Sequence, residues 1–170
     1  MTNSRCWALL TVALLAAQAA SAPPPDSLSS SSSLTVIGAN ELLSAGAQEL
    51  ERGNYQQGVE LTLAGLNRPN APEDRAAGLA NLCAGYVGLR QYELALAKCS
   101  ESIELNSSNW RTWNNRAAAY LGKGMVEAAL RDVQTGLQLS PQSGTLKKTQ
   151  QILLERKRVR EEQLRKATRS

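Results

Sequence analysis

The chain has 170 residues, enough for one modest domain, and a formal net charge of +4. It contains no histidine, which removes the usual general base at neutral pH and the commonest metal ligand. We therefore predict neither an enzyme nor a cofactor or metal site. The charge is uneven, because residues 144–170 hold 9 Lys/Arg against 3 Asp/Glu and residues 1–143 hold the other 10 against 12.

Residues 1–22 have the pattern of an export signal. A positive charge precedes an apolar run of 15 residues, from Cys6 to Ala20, and small residues follow it. That run is shorter than the roughly 20 residues a helix needs to cross a bilayer. Cleavage could follow Ala19 or Ala22, and an uncleaved anchor is the alternative. We predict a periplasmic or secreted protein after signal cleavage.

Residues 23–38 are predicted to be a disordered linker. The segment opens with three prolines and continues with a run of serines. Such a composition carries too little apolar surface to offset the entropy lost on folding. We therefore expect a tether between the processing site and the folded part of the chain.

Residues 110–143 contain two helical patterns separated by one glycine. Apolar and small residues recur at helix spacing at Trp113, Ala117, Tyr120, Ala129, Val133 and Leu137. Gly124 interrupts the pattern, and Pro141 ends it because proline lacks a backbone N–H and disfavours helix in the residue before it. The segment is predicted to be a helix hairpin.

This hairpin pattern occurs three times. Tyr86 and Ala95 recur at i+34 as Tyr120 and Ala129. A weaker copy precedes the second at i−37, and the longer interval is explained by additional residues in the proline-containing stretch 67–75. We place the three units at residues 39–75, 76–109 and 110–143. Three units at a nearly constant period meet the minimum for a stacked array.

The third unit resembles the tetratricopeptide repeat. The residues at that family's signature spacing are Trp113, Ala117, Tyr120, Ala129 and Pro141, whereas Arg116 and Val133 depart from it. The resemblance implies an all-α fold, an α-solenoid of about three helix hairpins. Residues 144–170 are predicted to form a basic C-terminal capping helix and tail.

The resemblance also implies a function, which is to hold a protein or peptide partner in a concave groove as an adaptor or scaffold. Carried over by position, the groove residues are Leu43, Ala47, Asn81, Ala84, Arg111, Asn114, Asn115 and Ala118. The family's clamp for a terminal carboxylate is matched only at Asn81 and Arg111, so a mixed apolar and amide groove is expected. Alternatively, Asn81 and Asn115 bond to backbone within the array.

Cys83 and Cys99 lie 7 residues before and 9 residues after Arg90, where the second hairpin should turn. The two cysteines are therefore expected at the same level of the paired helices. An exported protein meets oxidising conditions in which such a pair can form a disulfide. The alternative is two small buried apolar side chains.

The basic C-terminal segment suggests a second kind of partner. Clustered Lys and Arg can hold a protein near anionic lipid head groups, so a membrane-surface-associated or self-associating structural module is the alternative function. Three glutamates interleave with the cations, which is also typical of a solvated helix face. No nucleic acid is expected, because no stacking aromatic residues accompany the charges.

Overall fold

The structure is a computed structural model that describes residues 41–169. The predicted export signal and linker, residues 1–22 and 23–38, lie outside the described residues. The described part consists of seven helices: α1 (Glu41–Glu51), α2 (Tyr55–Leu66), α3 (Pro72–Gly88), α4 (Tyr92–Leu105), α5 (Trp110–Gly122), α6 (Val126–Leu139) and α7 (Gly144–Ala167).

Consecutive helices pair as hairpins, and the hairpins stack in chain order. The pairs are α1 with α2, α3 with α4 and α5 with α6, and each second helix also contacts the first helix of the next pair. The first helices α1, α3, α5 and α7 lie side by side. No strand occurs between residues 41 and 169. The predicted all-α solenoid with a C-terminal capping helix is confirmed.

Each hairpin turns at a residue with positive φ. These residues are Gly53 (φ 83°), Arg90 (φ 58°) and Gly124 (φ 73°), and the intervals between them equal those between the repeats. Glycine takes this conformation without steric cost, whereas Arg90 takes it with a side chain. The next position in register is Arg158, which lies inside α7, so this helix continues instead of turning.

Small residues allow the two helices of a hairpin to cross closely. In the first hairpin, a Cβ on Gly46 would lie 2.9 Å from the carbonyl oxygen of Gly58, so the two backbones nearly touch. The third hairpin has Ala117 and Ala129 at the corresponding positions, both fully buried. The first hairpin thus meets the same requirement for small residues with glycine in place of alanine.

In the first two repeats, a tyrosine of the second helix packs against the first helix of the next repeat. A Cβ on Gly88 would lie 2.4 Å from the ring of Tyr55, and one on Gly122 would lie 2.3 Å from the ring of Tyr92. The two pairs are in register along the array. Each ring therefore packs flat on the backbone of the following first helix, where only glycine leaves room.

Helix α7 caps the array as a further first helix would. Its buried residues Leu146, Thr149 and Leu153 lie one repeat period after Thr112, Asn115 and Ala119, which are likewise buried in α5. The end of α7 leaves this packing, since Val159 and Leu164 are 40% and 59% exposed. The solenoid therefore closes with a helix whose outer side is polar.

Candidate partner-binding surface

Six of the eight residues predicted to line a groove have almost no exposed surface. Leu43, Ala47, Asn81, Ala84, Asn114 and Asn115 are each at most 3% exposed. This corrects the expectation that they present open side chains to a partner. Only Arg111 and Ala118 of the predicted set are half-buried and reach the surface.

The buried members hold neighbouring first helices together. The Asn81 amide in α3 donates a hydrogen bond of 3.4 Å to the carbonyl oxygen of Leu43 in α1. The Thr149 hydroxyl in α7 donates one of 3.0 Å to the side-chain oxygen of Asn114 in α5. The Leu43 side chain fills the space over Gly78, where a Cβ would meet it at 3.1 Å. The alternative role of Asn81, a bond to backbone within the array, is what the structure contains.

The accessible concave surface lies on the side of the first helices that faces away from their second helices. On α5 this side carries Arg111 and Ala118, which lie about two helical turns apart. The guanidinium of Arg111 lies 4.6 Å from the centre of the Trp110 ring. Trp110 itself packs on the core formed by α5, α6 and α7. The Arg111 charge is thus anchored on an aromatic ring at the edge of this surface.

Arg116 forms a network that the sequence pattern did not predict. Its guanidinium donates two hydrogen bonds to the Asp132 carboxylate in α6, at 2.7 and 2.9 Å, and a third of 3.2 Å to the Ser100 hydroxyl in α4. It also lies 4.8 Å from the centre of the Trp113 ring. The hydrogen bonds to Asp132 raise the pKa of Arg116 above its ordinary value, although burial opposes them. This network joins the second and third hairpins and faces away from the concave surface.

The structure joins Cys83 in α3 and Cys99 in α4 by a disulfide. Their Cα atoms are 5.0 Å apart, within the range that a disulfide spans. Both residues are fully buried. The corresponding positions of the third hairpin hold Ala117 and Val133, which also pack in one cluster. The bond therefore occupies a site at which every hairpin brings its two helices together.

Helix α7 carries eight of the 18 lysines and arginines in residues 41–169. Three of its cations form ion pairs along the helix, in the pairs Glu155–Arg158, Glu161–Arg165 and Glu162–Lys166. The hydrogen bonds that Arg158 donates lower the pKa of Glu155 below its ordinary value. The other lysines and arginines of this helix form no salt bridge with a described carboxylate, and they leave α7 strongly positive.

Within residues 41–169, no group of three or more His, Cys, Asp or Glu side chains comes together in a way that could hold a metal ion. No helix in this part of the chain is long and apolar enough to cross a membrane. What the geometry offers is a stack of helices whose concave side is accessible at Arg111 and Ala118.

No protein-family model and no curated protein matches the chain. Solved structures do match it. The first TPR of Spaghetti (RPAP3), bound to the HSP90 peptide SRMEEVD, is 20% identical, with a TM-score of 0.60 over 67% of this chain and 88% of that one. The TPR domain of Arabidopsis OM64 is 19% identical, with a TM-score of 0.60 over 66% and 90%. MamA MSR-1 is 22% identical, with a TM-score of 0.56 over 71% and 68%.

These similarities define the class of the fold, an all-helical array of stacked hairpins. More particularly, the fold is tetratricopeptide-like, which confirms the resemblance predicted from residues 110–143.

Proposed function

We propose that this chain is an exported protein-binding module, an adaptor or assembly scaffold that holds a partner's peptide or protein segment on its concave surface. The observation that carries the proposal is the stack of first helices, on which Arg111 and Ala118 remain accessible while the rest of the predicted set is buried. Structures of the same fold have been solved with HSP90 and HSP70 peptides bound. Extended segments are therefore a ligand that this architecture can accommodate.

Site-specific photo-crosslinking tests this proposal. A benzoylphenylalanine would replace Ala118 on the concave side of α5, and, in a matched variant, Gln134, an exposed residue of the second helix α6. We expect discrete crosslinked partners from the Ala118 position that are absent from the Gln134 position. The same adducts from both positions, or adducts only from Gln134, would overturn the assignment of the concave side.

The export part of the proposal rests on residues 1–22 and needs its own experiment. The full chain and a form lacking these residues would be expressed with a C-terminal tag and fractionated. Only the full chain should appear outside the cytoplasm, with a mass reduced by signal cleavage. If both forms distribute alike, the chain is not exported by this segment.

Contact with an anionic lipid surface is a second candidate function, because α7 carries eight lysines and arginines against three glutamates. Exposed Leu154 and Leu164 add apolar surface to the same helix. Co-sedimentation with vesicles rich in phosphatidylserine, with and without residues 155–170, tests this function. Equal sedimentation of the two forms would exclude this helix as a lipid-binding element.

A further inference from the structure

The first helix of the array exposes the face on which the next first helix receives a second helix. Three glycines of α3 lie against side chains of the preceding helix α2: Gly78 against Leu66, Gly85 against Val59 and Gly88 against Tyr55. The positions of α1 one repeat period earlier hold Glu41, Gln48 and Glu51, and all three are exposed. No helix precedes α1 within the described residues. We call this surface the α1 outer face.

The last helix of the array lacks a second helix of its own within the described chain. In α5, the side that packs on α6 includes Ala117 and Tyr120. The residues of α7 at the corresponding positions are Gln151 and Leu154. The α7 outer row consists of four exposed residues on this side of the helix, Lys147, Gln151, Leu154 and Arg158. They follow one another at i, i+4, i+7 and i+11, so they lie along one helix face.

The α7 outer row has the spacing of the residues that pack α2 against α3. Those residues are Tyr55, Val59 and Leu66, at i, i+4 and i+11. The two helices run antiparallel, because Tyr55 at the start of α2 lies at the end of α3. The row can therefore take the place on α1 that α2 takes on α3.

The charges on the two surfaces are opposite in sign. Residues 41–66 hold four glutamates against one arginine, whereas α7 holds eight lysines and arginines against three glutamates. Neither Glu41 nor Glu51 forms a salt bridge with a cation in residues 41–169. Arg158 pairs with Glu155 of its own helix at the surface, where such a pair contributes little and can be exchanged for another.

We propose that copies of this chain associate end to end, with the α7 outer row of one copy packed antiparallel on the α1 outer face of the next. Lys147 then lies opposite Glu51, and Arg158 lies opposite Glu41. Charge complementarity carries the inference, because each end of the row places a cation on a carboxylate. The partner is a second copy of this chain.

The middle of this contact is neutral on both sides. Gln151 meets Gln48, and each amide can both donate and accept a hydrogen bond. Leu154, which is 52% exposed in the single chain, packs over the short side chains of Ser44 and Ala45. The charged pairs therefore flank a small apolar contact, which fixes the register of the two helices.

The contact joins two different surfaces, so it is heterologous. A copy that uses its α7 outer row still presents its α1 outer face, and further copies can add unless the assembly closes into a ring. The concave surface takes no part in this contact. The inference therefore goes beyond the proposed function, and either of the two can fail without the other.

Charge reversal at each end, alone and in a mixture, tests the inference. The α1 variant is Glu41→Lys/Glu51→Lys, and the α7 variant is Lys147→Glu/Arg158→Glu. All four side chains are exposed, so neither variant should unfold the chain. Sedimentation velocity of the full chain measures association at about 0.1 M salt, where charges act over about 10 Å, and at about 1 M, where they act over about 3 Å.

The unmodified chain should sediment faster as its concentration rises at low salt, and this dependence should disappear at high salt. Each variant alone should associate at least about tenfold more weakly, because like charges now face each other. An equimolar mixture of the two variants should associate again, because opposite charges meet at every junction between unlike copies. Association through other segments would be equal in all samples and would not follow this pattern.

Two control variants change the charge by the same amount elsewhere. Glu104→Lys/Glu127→Lys alters exposed positions on the second helices α4 and α6, and Lys148→Glu/Arg156→Glu alters exposed positions of α7 outside the outer row. Both should associate within about twofold of the unmodified chain, since these positions act only through screened long-range charge.

Three outcomes would overturn the inference. The unmodified chain could show no concentration dependence at low salt. The control variants could lose as much association as the end variants, which would indicate general attraction between opposite charges. The mixture of the two end variants could fail to associate, which would show that the two surfaces do not meet. Photo-crosslinking at Ala118 reports on the concave surface separately, so each of these results leaves the proposed function standing.

Discussion

Removal of the Cys83–Cys99 disulfide is expected to lower the free energy of unfolding by about 3 kcal/mol. The two cysteines are 16 residues apart in the sequence, and the chain-entropy model gives about 3 kcal/mol for a closed loop of about this length. The packing contribution can be separated from the crosslink, because the third hairpin shows which residues fill the same site without a bond. Cys83→Ala/Cys99→Val reproduces the pair Ala117 and Val133 found there.

Urea unfolding followed by helical circular dichroism measures the effect in four samples, the unmodified chain and the double variant, each with and without reductant. Reductant should lower the midpoint of the unmodified chain and leave that of the double variant unchanged. In heat denaturation the loss corresponds to a shift on the order of 10 °C. Alkylation in denaturant should modify neither cysteine until reductant is added. Bonded cysteines with equal midpoints before and after reduction would refute the entropic reasoning.

Three further predictions concern the turns, the buried ion pair and the ligand. Gly124→Ala should lower the free energy of unfolding by about 1 kcal/mol, because φ is +73° at this turn. Gly144→Ala should raise it by up to about 1 kcal/mol, because Gly144 lies in open space at the start of α7. Equal urea midpoints for the two variants would contradict this prediction. Asp132→Asn should lower the free energy of unfolding by about 2 kcal/mol in the same assay, because it leaves the half-buried Arg116 without its counter-charge. A loss of less than about 0.5 kcal/mol would show that the ion pair contributes little to stability. The peptide SRMEEVD and its C-terminal amide should bind within about twofold of each other, since only Asn81 and Arg111 match the family's clamp for a terminal carboxylate and Asn81 is buried. A tenfold preference for the free carboxylate would show a clamp.

The fold could be predicted because its determinants repeat within the sequence. Tyr86 and Tyr120, one repeat period apart, both pack against the core at corresponding positions. The spacing of small residues also fixed where the hairpin helices cross, as Ala117 and Ala129 show by their complete burial. These features depend on contacts within one hairpin or between adjacent hairpins, and a periodic pattern records such contacts directly.

The exposure of the groove could not be predicted in the same way. Helix periodicity gives the direction of a side chain, whereas its depth depends on the neighbours above it. Leu43 is buried because Gly65 and Gly78 on two other helices leave space for it. Asn114 is buried because Thr149 of α7 lies beside it and donates a hydrogen bond to it. Gly78 and Thr149 lie outside the repeat units of the residues that they help to bury, so the pattern of one unit does not record them.

The Arg116 network was missed for a related reason. The family pattern has leucine at this position, so the sequence indicated only a substitution at an apolar site and no ion pair. Its partner Asp132 lies 16 residues away in the facing helix, and nothing in either helix alone indicates that the two charges meet. In the interior, the charge of Arg116 is balanced by a carboxylate that the next helix supplies.

The same reasoning bears on the cations of α7. Helix α7 has Arg158 where the hairpins turn, and it continues to Ala167 without a second helix from the described chain to pack against it. Carboxylates that a second helix could supply, as α6 supplies Asp132, are therefore absent beside Lys148 and Arg156. Within residues 41–169, the cations of α7 that lie outside its own Glu pairs therefore have no counterpart to Asp132 on a facing helix.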